Sequence, residues 1–182
     1  MATELVRSYI GLGSNLGDRA GNLLLAVRSM LDAGIRISSL SGIYETEAVG
    51  VNAGGKFLNM VAEAETSGIT VSQLMARLLR IEYQLGRTGK ALGLPRTIDL
   101  DILLFGSLIY DSTFVTVPHP RIHQRKFVLA PMAEIAASVI HPTIGKSIQT
   151  LFNELSSQEV VARWPAVHTF STAATNYLDE GI

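Results

Sequence analysis

Between Ile98 and Phe105 the chain reads Ile-Asp-Leu-Asp-Ile-Leu-Leu-Phe, and this run constrains the fold more than any other. Six of its eight residues are apolar, and the other two are the carboxylates Asp99 and Asp101. It reads as a strand that ends in a turn at Gly106. Side chains alternate across a strand, so Ile98, Leu100, Ile102 and Leu104 are expected on a core face. Thr97, Asp99 and Asp101 share the opposite face. Two carboxylates at i and i+2 lie roughly 7 Å apart along the backbone. Left alone they repel each other and are costly to desolvate. Magnesium relieves both costs, because it takes oxygen ligands and commonly combines one or two carboxylates with substrate phosphates. Two such ions can bridge phosphates in a displacement. The plain alternative is a solvated strand face. Arg96, at the strand's entrance, suits a phosphate-and-metal site, and a simple salt bridge to the acids accounts for it equally.

A strand with one buried face needs partners, and the periodicity elsewhere supplies them. Residues 5–13 read as a first strand, stopped by Gly11 and Gly13. A helix follows, with Asp18 as N-cap, Leu23, Val27 and Leu31 at helical spacing, and Gly34 at its end. Residues 35–46 read as a second strand. From Phe57 the chain alternates again, with Phe57, Asn59, Val61 and Glu63 on one face and Leu58, Met60, Ala62 and Ala64 on the other. The clearest helix starts at Thr70, which forms a capping-box pattern with Gln73. Leu74, Leu78, Ile81 and Leu85 line one side of it, and Gly86 closes it. Residues 112–118 are expected to pair with the acidic strand as a hairpin. A short helix around Pro131, another over 145–155 and an edge strand near 159–164 complete the pattern. The order β-α-β-β-α-β predicts an α+β, ferredoxin-like fold with a mostly antiparallel sheet. Both long helices should lie on one face, and the extra C-terminal elements should cover the other. Residues 1–164 are expected to form a single domain, and 165–182 a tail without a strong period.

Bulk properties narrow the function classes. The 182 residues are 47% hydrophobic and 17% charged, which predicts a real core. A net charge of -1 argues against a nucleic-acid partner. The absence of cysteine excludes disulfides, Cys-ligated zinc and thiol catalysis. No apolar run approaches the roughly 18 residues of a membrane span, and the N-terminus carries no signal core. The expectation is a cytoplasmic monomer acting on small molecules.

Other segments carry chemistry too. Residues 117–127 hold His119, Arg121, His123, Arg125 and Lys126. A phosphate-binding loop using Arg as a bidentate donor and His as a donor fits them. A basic surface loop balancing nearby acids fits as well, and Pro118 and Pro120 weigh against a helical zinc pair of His119 and His123. Gly11-Leu12-Gly13-Ser14-Asn15-Leu16-Gly17 invites a dinucleotide reading. The third glycine is displaced, however, and no run of βαβ units follows. No Gly-Lys-Ser/Thr completes a Walker loop either. A tight strand-to-helix turn capped by Asn15 is the better reading. Glu82, one position off the stripe of its helix, reads by itself as a solvated helix residue.

Taken together, these segments resemble the 6-hydroxymethyl-7,8-dihydropterin pyrophosphokinase family over about residues 7 to 140. The resemblance rests on YIGLGSNLGDR, YETEAVG, FLNMV, RIEYQLGR, PRTIDLDILLFG and VPHPRIHQRKFVLAPMAEIA, in that order. It implies transfer of the terminal diphosphate of ATP to the pterin's hydroxymethyl oxygen, leaving AMP, in folate biosynthesis. It implies two Mg2+ ions on Asp99 and Asp101, with ATP as co-substrate. Arg96, His119 and Arg125 would contact the ATP phosphates, Glu82 and Thr116 would lie on the nucleotide side, and Arg87 would be a mobile-loop cation. Thr46, Val49, Phe57, Asn59 and Phe127 would line the pterin pocket. Phe57 and Phe127 would stack on a flat ring, and Asn59 would read its amide edge. The alternatives are another magnesium-dependent nucleotidyl or phosphoryl transferase and a small-molecule-binding regulatory domain.

The chain also departs from the family pattern. Before the acidic strand the family usually carries a second Arg and Trp-Gly-Pro-Arg. Here Gly89 stands near the second Arg, Trp is absent and Leu94 precedes Pro95. Ala48 replaces a usual Pro, and residues 52–56 replace an Asp-Gln-Pro run. Loops 47–56 and 87–95 are expected to be more flexible than usual and to close on ATP binding.

Overall fold

The computed structural model describes residues 5–47, 55–86 and 96–165. Its elements are β1 (Leu5–Ser14), α1 (Arg19–Asp32), β2 (Arg36–Leu40), β3 (Tyr44–Thr46), β4 (Phe57–Ser67), α2 (Val71–Gln84) and β5 (Asp99–Phe105). The short strands β6 (Tyr110–Asp111) and β7 (Thr116–Val117) follow, then α3 (Lys126–Ala136), α4 (Ile148–Glu154) and β8 (Val161–Arg163). The main sheet runs β5-β1-β4-β3-β8, with β2 also on β4, and every pairing in it is antiparallel. The chain is thus an α+β fold, and its fate is decided by what covers each face of this sheet.

One face carries Ile10, Leu12, Leu58, Met60, Ala62, Ala64, Ile98, Leu100 and Ile102, all buried. Helices α1 and α2 both cover it, as the periodicity predicts. Helix α2 begins with the expected capping box: Gln73 N–H donates to Thr70 Oγ1 and Thr70 N–H donates to Gln73 Oε1. Leu74, Leu78 and Ile81 are buried along it. Helix α1 is capped by Asp18, whose carboxylate accepts from Gly21 N–H. Its buried stripe is Leu23, Ala26 and Met30, not Leu23, Val27 and Leu31; Leu31 is exposed. The helix carries apolar residues on several sides, and Leu23, Ala26 and Met30 are the ones buried in this core.

The opposite face carries Tyr9, Val61, Leu103 and Leu104, which pack against Val128, Leu129 and Met132 of α3 and Ile148 and Leu151 of α4. Leu104 was expected with Ile98, Leu100 and Ile102. A bulge corrects this: Tyr9 pairs with Leu104 but Ile10 pairs with Ile102, which leaves Leu103 as an extra residue. Beyond a bulge the alternation inverts. Leu103 and Leu104 therefore both face α3 and α4, and Phe105 returns to the first core.

Three further expectations shift. Gly11 and Gly13 do not stop β1, which continues to Ser14. The second predicted strand is broken into β2 and β3. At the break, Ser41 N–H donates to Val61 O and Ser41 Oγ accepts from Val61 N–H, so a side chain replaces one rung of the ladder. The 112–118 segment pairs through Thr116 and Val117 with β6, not with β5. The edge strand expected near 159–164 is present as β8 on β3. No helix among the described residues is long and apolar enough to cross a membrane.

Candidate active site

Helices α3 and α4 cover only part of the second face. The rest is a cavity of about 540 Å³ above β4, β1 and β5. Its floor follows from the register. Asn59 pairs with Gly13, and Gly13 with Asp99; Val61 pairs with Gly11, and Gly11 with Asp101. Two glycines thus leave a shallow channel between a polar amide on one side and two carboxylates on the other. The lining includes Thr46, Phe57 and Asn59 at one end and Arg96, Asp99 and Asp101 at the other, with Arg125 and Phe127 also on its wall.

At the acidic end Arg96 Nη1 lies 2.7 Å from Asp99 Oδ2. The backbone of Arg96 is itself fixed by the turn after β1. Its N–H donates to Asn15 Oδ1 at 2.6 Å, and Asn15 N–H donates to Arg96 O at 3.1 Å. Asn15 therefore does not cap α1, which is the work of Asp18; it ties the entrance of β5 to the end of β1. Asp101 Oδ2 lies 3.7 Å from Arg125 Nη1 and 3.8 Å from His119 Nε2. The His119 Nδ1 accepts from Arg121 N–H, so the neutral ring carries its proton on Nε2. Burial, followed by the guanidinium charges of Arg125 and Arg121, pushes its pKa down to about 4. Burial and Arg121 also lower the pKa of Arg125; an arginine stays charged nonetheless.

Among the described residues no group of three or more His, Cys, Asp or Glu could enclose a metal ion. The donor set is two carboxylates on one strand face, open to a cavity with cations on its wall. That set fits magnesium shared with a phosphate ligand, and it does not fit a zinc cage.

At the other end Asn59 Nδ2 donates to Thr46 Oγ1 at 3.0 Å, and both residues are buried. Phe57 is the pairing partner of Thr46 in the β3–β4 ladder. Phe127 sits in the first turn of α3, with the Arg125 guanidinium 5.5 Å from its ring centre. The first turn of α3 has no side-chain cap of its own, and Glu159, from the approach to β8, accepts the Lys126 N–H.

Three sequence-derived candidates are not on the cavity wall: His119, which stands behind Asp101, and Glu82 and Thr116. Glu82 is buried, and its Oε1 accepts Leu100 N–H at 2.7 Å, supporting the outer edge of β5. Thr116 Oγ1 donates to Asp111 Oδ1 in the β6–β7 hairpin. Val49, Arg87, and most of loops 47–56 and 87–95 with their expected closure lie outside the described residues, as does the tail beyond Pro165. Arg121, Gln124 and Glu159 line the cavity and were not singled out as site residues. Arg121 stood within the basic loop and was legible there; Glu159 carried no local signal.

A family model described as 7,8-dihydro-6-hydroxymethylpterin-pyrophosphokinase matches residues 9–137. The chain is 44% identical over 133 residues to the 2-amino-4-hydroxy-6-hydroxymethyldihydropteridine pyrophosphokinase of Bacillus subtilis, covering 72% of this chain and 79% of that one. It is 37% identical over 152 residues to the folic acid synthesis protein fol1 of Pneumocystis carinii, covering 84% of this chain but 20% of that protein. It spans 25% of a mitochondrial folate synthesis bifunctional protein from Pisum sativum. Its fold is similar to that of Plasmodium falciparum HPPK-DHPS, with a TM-score of 0.64 at 12% identity, over 84% of this chain and 45% of that one.

Proposed function

The chain belongs to the 7,8-dihydro-6-hydroxymethylpterin-pyrophosphokinase family, and on that premise we propose that it transfers diphosphate from ATP to 6-hydroxymethyl-7,8-dihydropterin. The hydroxymethyl oxygen forms a bond to the β-phosphorus. The bond from that phosphorus to the oxygen bridging to the α-phosphate breaks, AMP leaves, and the hydroxyl proton is released to water. One observation carries the reading: a single cavity joins a cation-and-carboxylate end to an amide-and-aromatic end across the two glycines of β1.

Asp99 and Asp101 would hold magnesium, two ions in all. Bound there, the metal supplies charge neutralisation at the phosphates and acidifies the incoming hydroxyl. Arg96, held by Asn15, and Arg125 stabilise charge on the phosphates and on the departing AMP. His119 is neutral at pH 7 and acts as an Nε2–H donor, not as a base. Arg87 brings a further cation from its loop, and Glu82 and Thr116 serve the nucleotide side, Glu82 by supporting β5. Thr46, Val49, Phe57, Asn59 and Phe127 bind the pterin. Phosphoryl transfer depends chiefly on such positioning and electrostatics.

Residues 1–164 make one domain with a 165–182 tail, acting as a cytoplasmic monomer. The sheet order β5-β1-β4-β2, with α1 and α2 on one face, supports the ferredoxin-like reading. The test is an assay with ATP, Mg2+ and the hydroxymethyl dihydropterin, with AMP as the readout. AMP formed in proportion to pterin diphosphate supports the reading; ADP as the nucleotide product, or no AMP, overturns it.

A further inference from the structure

The Gly11-Leu12-Gly13 run is no dinucleotide motif, and the reaction above uses its two glycines only as a common floor of the cavity. Both lie inside β1 and turn nothing. We propose that Gly13 is a positioning residue of the ring subsite, whose missing Cβ lets the Asn59 carboxamide oxygen stand against β1 and accept from the donor edge of a flat heterocycle. The proposal rests on the pterin reading of that end of the cavity.

A Cβ built on Gly13 would stand 3.2 Å from Asn59 Oδ1. That is too close without movement of the amide, and the amide has little room to move. Asn59 is 6% exposed, and its Nδ2 donates to Thr46 Oγ1, which is itself 6% exposed. A shift of the oxygen by a few tenths of an ångström therefore strains the bond to Thr46 or re-aims the acceptor. Gly11 differs. It lies on the same face and also between β4 and β5, but the nearest atoms to a Cβ there are those of the apolar Leu103 side chain, its methyls at 3.4 and 3.5 Å. At position 11 a methyl fills space; at position 13 it displaces a polar group.

The chemistry defines the ligand edge. One of the two amide N–H groups is committed to Thr46, and the oxygen, which stands beside Gly13, is the side chain's acceptor for a ring edge. It selects a ring edge that donates, such as a ring N–H beside an exocyclic amine. An analogue with acceptors at that edge leaves the buried oxygen unpaired and is rejected.

The test uses the full chain with Gly13→Ala, Gly11→Ala, Asn59→Ser and the double variant Gly13→Ala/Asn59→Ser. Pterin and ATP KM, kcat and melting temperature are measured for each. Gly13→Ala is expected to raise the pterin KM roughly tenfold, the value of about one hydrogen bond. The ATP KM stays within about twofold, and Gly11→Ala has the weaker effect on the pterin. In the Asn59→Ser background the same Gly13→Ala change moves the pterin KM by no more than about twofold, because the displaced group is gone. If Gly13→Ala does not fold, the double variant is expected to fold. The proposal is overturned if Gly11→Ala matches Gly13→Ala, if the two effects add fully in the double variant, or if the double variant fails to recover folding. A parent that makes no AMP with this pterin overturns the reaction assignment instead.

Discussion

Acid should destabilise this protein through His119. The side chain is 14% exposed, and burial, Arg125 and Arg121 together push its pKa from 6.5 down to about 4. Above pH 6.5 the ring is neutral in both folded and unfolded chains, and stability is at its full value. As the pH falls below 6.5 the unfolded chain takes up a proton that the folded one refuses. Stability then drops by about 1.4 kcal/mol per pH unit until the folded ring also titrates near pH 4. Between pH 7 and pH 5 that amounts to about 2 kcal/mol from this one residue. Urea unfolding of the parent and of His119→Asn at the two pH values isolates it. Asparagine keeps an acceptor near the Nδ1 position for the Arg121 N–H but cannot be protonated. His141, whose pKa burial also lowers, titrates in both proteins and cancels. The parent should lose about 2 kcal/mol more than the variant. Equal losses would refute the claim that His119 is held neutral by its surroundings.

Asp99→Asn and Asp101→Asn should each abolish magnesium-dependent AMP formation, with circular dichroism and melting temperature close to the parent's; near-normal rates in both would remove the metal from these residues. Ser41→Ala removes the acceptor for the buried Val61 N–H and should cost about 1–3 kcal/mol in urea unfolding; an unchanged midpoint would mean that another group takes the bond. Asn15→Ala frees the Arg96 backbone and should raise the ATP KM several-fold, on the order of one lost hydrogen bond, with the pterin KM moving less. The opposite ranking would detach Asn15 from the phosphate end.

What was legible in the sequence was whatever local periodicity decides. The alternation of β4, the capping box of α2 and the Asp-x-Asp face of β5 all reappear in the structure, because each depends on residues a few positions apart. The α1 stripe is not legible because Leu23, Leu24, Leu25, Val27 and Leu31 offer several apolar faces. Only the sheet beneath selects Ala26 and Met30. The role of Glu82 was hidden for a different reason. It turns on the outward N–H of Leu100, and so on β5 standing at the sheet's edge. No window around residue 82 carries that information. Glu159 is hidden likewise, since it caps a helix 33 residues away.

The bulge at Leu103 explains why one face can be both core and cavity. Without it, strict alternation would put Leu104 against α2 and leave Leu103 as the one apolar contact that β5 offers to α3. With it, Leu103 and Leu104 both join the buried cluster of Val61, Leu129 and Met132, adding to the seat that β4 gives α3 over one end of the face. Asp99 and Asp101 lie before the bulge, on the same face but outside that contact. The helix so anchored starts at Lys126, and its first turn carries Arg125 and Phe127 to the cavity wall. The extra residue in β5 thus separates the packing job of this face from its chemical one. Deleting Leu103 should therefore do more than remove a leucine. It would return Leu104 to the α1–α2 side, loosen α3 and dissolve the wall that bears Arg125, so activity should fall along with the melting temperature. Leu103→Ala, which keeps the register, should lower stability by about 2–5 kcal/mol and leave substrate affinities much closer to the parent's. Similar KM changes in the two variants would deny the bulge its part in setting the site.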